Sequence, residues 1–119
     1  MTDLSEAVAD VREWQEDLYR DIHAHPELSH AEQRTAELVA RRLEGSGCEV
    51  TTGIGATGVV GILRNGDGPS VLLRADTDAL PVREDTGLEY ASTATTDDGA
   101  PVMHACGHDV RRRPQTAPA

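Results

Sequence analysis

The sequence predicts an α/β unit, on three observations. Apolar residues recur with helical spacing over the first 45 positions. They then change to short runs and two-residue alternation, and a glycine-rich stretch separates the two regimes. At 119 residues the chain has room for one compact domain or a piece of one.

The first helix is expected from Leu4 to Ile22. Leu4, Val8, Val11, Leu18 and Ile22 fall on one stripe, with Ala7 and Trp14 beside them and Asp10, Glu13, Asp17 and Asp21 on the remaining surface. His25 precedes Pro26, and a residue before proline avoids helical angles, so the helix should stop near His23 or Ala24. Ser29 to Glu32 reads as a capping box opening a second helix, whose stripe is Thr35, Leu38, Val39 and Leu43 and which Gly45 and Gly47 end. Strands are expected at Glu49 to Thr51, Val59 to Leu63 and Val71 to Ala75. Asn65-Gly66-Asp67-Gly68 suits a turn that pairs the last two antiparallel. From Asp76 to Pro101 the pattern fades into a long connection, which in a compact domain is more often functional than idle.

Charge and composition remove several functions. The net charge is -10, all 11 basic residues are arginine, and residues 1–109 hold all 21 acids against eight arginines, a net -13. Such a surface repels nucleic acid and anionic membranes. No apolar run approaches membrane-spanning length, and the first twenty positions are acidic and amphipathic, unlike a signal peptide, so a cytoplasmic protein is expected. In that compartment Cys48 and Cys106 are expected as thiols or a metal thiolate; Cys48 fits a small core or turn position.

Chemistry concentrates at two places. Asp76-Thr77-Asp78 leaves the end of the most apolar strand, where ligand sites in α/β folds tend to lie, although the same pair also suits a polar strand end that caps neighbouring amides. In Cys106-Gly107-His108 a thiolate and an imidazole at i and i+2 can turn toward one cation while the glycine lets the backbone bend. A buried cysteine beside a surface histidine fits the spacing equally, and two donors alone cannot hold a catalytic ion. His23 and His25 straddle a helix end, where a histidine suits the helix dipole, and His30 reads as solvated.

Four segments, RDIHAHPELSHAEQRTAELVARRLEGSG, GIGATGVVGIL, VLLRADTDALPVREDTGLEYAS and GAPVMHACGHD, stand in an order and spacing that resemble the metal-dependent amidohydrolases. That family includes hippurate hydrolase, N-acyl-amino-acid hydrolases and indole-acetyl-amino-acid hydrolases, relatives of the aminoacylases and glutamate carboxypeptidases. The resemblance runs from Arg20 to Asp109. It implies the N-terminal part of a zinc-peptidase-like catalytic domain, two helices followed by a mixed sheet, and the cleavage of N-acyl amino acids by metal-activated water. It further implies that Cys106 and His108 are metal ligands on a divalent ion, manganese or zinc, and that Asp78 orients a group beside the metal. Asp76 stands where many relatives place a ligating histidine that this branch lacks, so it is not counted as a ligand.

The resemblance stops at Asp109. Family members carry another histidine where Arg111 stands, and paired glutamates beyond it, one of them the general base. Residues 1–109 are therefore expected to be the N-terminal part of the catalytic domain, and residues 110–119 a non-homologous, disordered tail. A truncated, inactive fragment is one consequence. The other is a small non-enzymatic metal-binding or interaction module that needs a partner chain. Unpaired sheet edges in either case predict self-association.

Overall fold

A computed structural model of the chain describes residues 3–109. Helix α1 spans Leu4–Ala24, helix α2 spans Gln33–Gly45, strand β1 spans Glu49–Ile54 and strand β2 spans Gly58–Ile62. Residues 110–119, for which a disordered tail is expected, lie outside the described residues.

Helix α1 covers the span read from the sequence, but only the C-terminal part of its apolar stripe is buried, Leu4 and Val8 being 80% and 57% exposed. Asp3 caps it by accepting from the Ser5 amide, and Leu18 and Ile22 are its buried apolar residues. It ends at Ala24, and the His25 amide closes it on the Ile22 carbonyl. Trp14 of α1 lies under Arg42 of α2 at 4.7 Å, while Asp21 accepts twice from Arg34 at 2.8 and 2.9 Å. Contacts 14–42 and 21–34 run in opposite senses along the chain, so the two helices pack antiparallel.

The start of α2 departs from the capping box. His30 has φ 65°, which is incompatible with a first helical turn, and α2 begins only at Gln33 without a side-chain cap from Glu32. The free amides are taken instead by Glu27, which accepts from Arg34 N–H at 3.0 Å and from Thr35 N–H and Thr35 Oγ1 at 2.7 Å each. Glu32 turns the other way and accepts from Thr57 at 2.7 Å, tying the helix to the sheet. A longer carboxylate arriving from the preceding link thus does what Ser29 was expected to do, and it also satisfies the hydroxyl of fully buried Thr35.

The sheet is a single hairpin, with Glu49 opposite Ile62, Val50 opposite Gly61 and Thr51 opposite Val60. It lies against α2. Contact is close enough that a Cβ on Gly61 would sit 3.0 Å from Leu43 Cδ1 and 3.3 Å from Cys48 Cβ, so a larger residue there would require Leu43 to shift. The turn between the strands holds Ala56 at φ 87°, a left-handed angle uncommon outside glycine.

The expected pairing of Val59–Leu63 with Val71–Ala75 is corrected. The partner of β2 is β1, closed by the short turn at 55–57, and among the described residues 71–75 joins no strand. Val71, Leu72 and Leu73 are 84%, 89% and 70% exposed. A continuous apolar run of this kind suits a strand covered on both faces, and neither face is covered among the described residues. Accordingly the described sheet is antiparallel rather than mixed.

Beyond residue 75 the chain is held by isolated bridges. Ala79 N–H donates to Glu27 O at 2.7 Å, and Leu80 exchanges both backbone bonds with Met103 at 2.9 Å. Residues 78–80 therefore lie between the link that follows α1 and the segment that leads into Cys106. Ala79 and Val102 are buried there.

Replacing Glu27 with alanine should destabilise the chain by about 1–2 kcal/mol in urea unfolding, because two helix-start amides and a buried hydroxyl lose their acceptor. A loss below about 0.5 kcal/mol, the size of an uninvolved surface change, would contradict this capping role.

Candidate functional site

The bridges at residues 79, 80 and 103 bring the two sequence candidates to one place. Asp78 meets His108: the ring Nδ1 lies 2.9 Å from Asp78 Oδ1 and 2.9 Å from the Asp78 carbonyl oxygen. A carbonyl oxygen only accepts, so Nδ1 carries the hydrogen and donates to both oxygens. In the neutral ring that leaves the lone pair on Nε2, the arrangement a ligating histidine requires. His108 is half-buried, with its side chain 15% exposed, and Cys106 is an exposed free thiol. Gly107 between them adopts φ 74°, the left-handed angle that lets the turn reverse. Asp76, at the start of the same segment, pairs with Arg74 at 2.9 Å and faces solvent in part.

The fit of this set to a metal ion is partial. A thiol and an imidazole with a free Nε2 are suitable donors in type. Among the described residues, however, no group of three or more His, Cys, Asp and Glu side chains is arranged to hold a metal ion.

A second cluster adjoins the first, and sequence reasoning missed it. His23, in the last turn of α1, is only 4% exposed. Its Nδ1 lies 2.6 Å from Asp109 Oδ2 and its Nε2 lies 3.0 Å from Glu84 Oε2. Ionised carboxylates only accept, so serving both partners requires hydrogens on both ring nitrogens, an imidazolium. Burial opposes that charge, but the bonds and charges of Glu84 and Asp109 outweigh it and the His23 pKa is raised. Burial likewise opposes the Glu84 carboxylate, and the bonds from the Ser92 amide, Thr86 hydroxyl and His23 overcome it, so its pKa is lowered. Tyr19 and Tyr90 pack about the ring at centroid distances of 5.6 and 5.5 Å. Burial, with Tyr90 and the two carboxylates, pushes the Tyr19 hydroxyl up to about 12. The available signal was the histidine in the final turn of a helix, which the dipole accounts for equally well; its two partners lie 61 and 86 residues away.

His104 lies between the clusters in the electrostatic sense, feeling the charges of Asp109, His23, His108 and Asp78. It is 3% exposed and neither ring nitrogen has a hydrogen-bond partner among the described residues. Burial lowers its pKa, which keeps it neutral. His25 and His30 stay outside: His25 Nδ1 donates to the Asp21 carbonyl at 2.8 Å, completing the end of α1, and His30 is exposed.

Residues 72–112 match the family model described as peptidase family M20/M25/M40. The chain is 46% identical over 109 residues to thermostable carboxypeptidase 1 of Saccharolobus solfataricus, covering 90% of this chain and 26% of that protein. It is 48% identical over 95 residues to hippurate hydrolase of Campylobacter jejuni, covering 79% of this chain and 24% of that protein. The chain thus spans about a quarter of the length of the curated relatives it matches. Among solved structures, a Bacillus subtilis dinuclear metal binding peptidase from the M20 family superposes with TM-score 0.73 at 39% identity over 85% of this chain and 27% of its own. A Staphylococcus aureus protein described as a putative aminohydrolase gives 0.77 at 40%, over 87% and 26%.

The two shifts in the second cluster set a pH dependence. Because the folded His23 pKa is raised, its contribution to stability is full below the ordinary value of 6.5 and is lost as pH rises through the folded value. Glu84, with a lowered pKa, contributes fully above its ordinary 4.5 and loses that contribution as pH falls through the folded value. Urea unfolding across pH should therefore show the cluster's greatest contribution between about 4.5 and 6.5. The alkaline fall should be smaller in His23→Gln, and an unchanged alkaline slope in that variant would rule out the imidazolium.

Proposed function

Starting from a chain that belongs to peptidase family M20/M25/M40, we propose that it is the metal-carrying first part of an amidohydrolase that cleaves the amide bond of N-acyl amino acids. The observation that carries this reading is the Asp78–His108 contact beside the exposed Cys106 thiol. It presents an aimed imidazole nitrogen and a thiol from one turn, in a chain nearly half identical to a hippurate hydrolase.

In this reading Cys106 and His108 hold a divalent ion, and Asp78 keeps the His108 ring in the tautomer that leaves Nε2 free. A bound divalent ion would supply Lewis acidity toward an amide carbonyl and toward water. Zinc suits the thiolate and manganese is the other ion proposed. No helix among the described residues is long and apolar enough to cross a membrane, which is compatible with the cytoplasmic setting we propose.

On its own the 119-residue chain is proposed to be inactive, since two donors leave a catalytic ion short of protein ligands and the described residues place no third beside them. A second reading, a module completed by a partner chain, draws on the exposed Val71, Leu72 and Leu73, an apolar run that favours self-association or a bound strand.

Two measurements decide between these. Incubation of the isolated chain with hippurate and manganese or zinc should release no glycine; turnover that Cys106→Ser abolishes would overturn the inactive assignment. Equilibrium dialysis with zinc should give micromolar or weaker binding, as two ligands allow, whereas nanomolar binding would indicate a site completed within the chain or by its self-association.

A further inference from the structure

Asp109 immediately follows His108, so adjacent residues of one turn are anchored to different parts of the molecule. His108 is tied to Asp78 at 2.9 Å, and Asp109 is tied to His23 at 2.6 Å. Each anchor is itself immobilised. Asp78 precedes the Ala79 and Leu80 backbone bonds. His23 belongs to a helix, is enclosed by Tyr19 and Tyr90, and is held from its far side by Glu84. The Glu84 and Asp109 side chains are 0% and 3% exposed, so neither is free to swing away into water.

A turn of four residues, 106–109, with glycine inside it has little stiffness of its own. One contact at His108 fixes a point and leaves rotation about it. A second contact at the next residue, to a different segment, restricts that rotation. We infer that His23 is a positioning residue for the Cys106–His108 pair: acting through Asp109, it sets the direction in which thiol and imidazole face. This rests on the reading of Cys106 and His108 as metal donors, and it gives His23 a role beyond its favourable place at the C-terminal end of α1.

Substitutions at His23 separate its two arms, because a glutamine amide comes close to the place of Nε2 and an asparagine amide to the place of Nδ1. His23→Gln keeps a donor toward Glu84 and loses the one toward Asp109; His23→Asn does the reverse. The experiment uses the 119-residue chain without metal, reading the Cys106 amide and His108 ring-nitrogen resonances by NMR. The expected result is displaced resonances in H23Q and near wild-type positions in H23N. Superimposable H23Q and wild-type spectra, or equal displacement in both variants, would overturn the inference.

A cobalt(II) titration then reads the thiolate-to-cobalt absorption band, with affinity expected to fall about tenfold in H23Q, the lower range for loss of a group that supports a ligand. If the wild-type chain gives no such band, the metal-donor reading fails while the metal-free spectra still decide whether His23 orients the turn. Should H23Q lose its helical circular dichroism, Asp109→Ala carries the same test, since it removes the acceptor at 109 and leaves His23 and Glu84 together. Displacement at Cys106 and the His108 ring is expected there too, and its absence would overturn the inference.

Discussion

Two carboxylates with almost no exposed side-chain surface have to be compensated, and the way this is done ties residues 84–109 to α1. Glu84 and Asp109 come from segments without regular secondary structure, and both end on the His23 ring in the last turn of α1. Burying either acid without hydrogen-bonding partners would cost several kcal/mol, and the His23 ring lies within hydrogen-bond distance of both. The apolar core among the described residues is small, consisting of Leu18, Ile22, Ala40, Ala79 and Val102. With so little burial to organise residues 81–109, the polar bridge takes over a task that hydrophobic packing performs in a larger core.

The same economy appears at the other joints. Glu27 closes the start of α2, and Glu32 ties that helix to Thr57 in the hairpin turn. Asp78 holds His108. In each case a carboxylate from one segment satisfies donors of another, and the strongly acidic composition supplies these internal acceptors. Charge that reads as a surface property in the sequence is thus partly structural.

What the sequence disclosed follows from the range of the interactions involved. Both helices were legible because a 3.6-residue stripe is a local pattern, and α1 ended where Pro26 dictates. The switch to strands after Gly47 was legible for the same reason. The pairing was not. Asn65-Gly66 is a good turn, but residues 55–57 already joined β2 to β1, and a turn signal says nothing about whether a neighbouring strand is already occupied. The capping box failed because His30 takes a left-handed angle and Glu27 offers a stronger acceptor. His23 was invisible as a site residue since its partners are remote in sequence, and no periodicity encodes a contact across 86 residues.

The exposed run Val71–Leu73 leads directly into Asp76 and Asp78, and that order raises the question of what keeps Asp78 aimed at all. A carboxylate at the end of a strand normally inherits its direction from the strand's ladder, and here residues 71–75 have none among the described residues. The direction is supplied from the other side. Ala79 donates to Glu27 and Leu80 exchanges two bonds with Met103, so the backbone is pinned one and two residues after Asp78 rather than before it. Met103 lies five residues before His108, which means that the pin holding the carboxylate also limits where the histidine can be. Geometry of the Asp78–His108 pair is therefore independent of whatever covers Val71, Leu72 and Leu73, whereas the orientation of the turn as a whole depends on α1 through Asp109. Order at the donor pair comes from residues that follow the apolar run, which is how a chain with an uncovered hydrophobic segment keeps an organised site beside it.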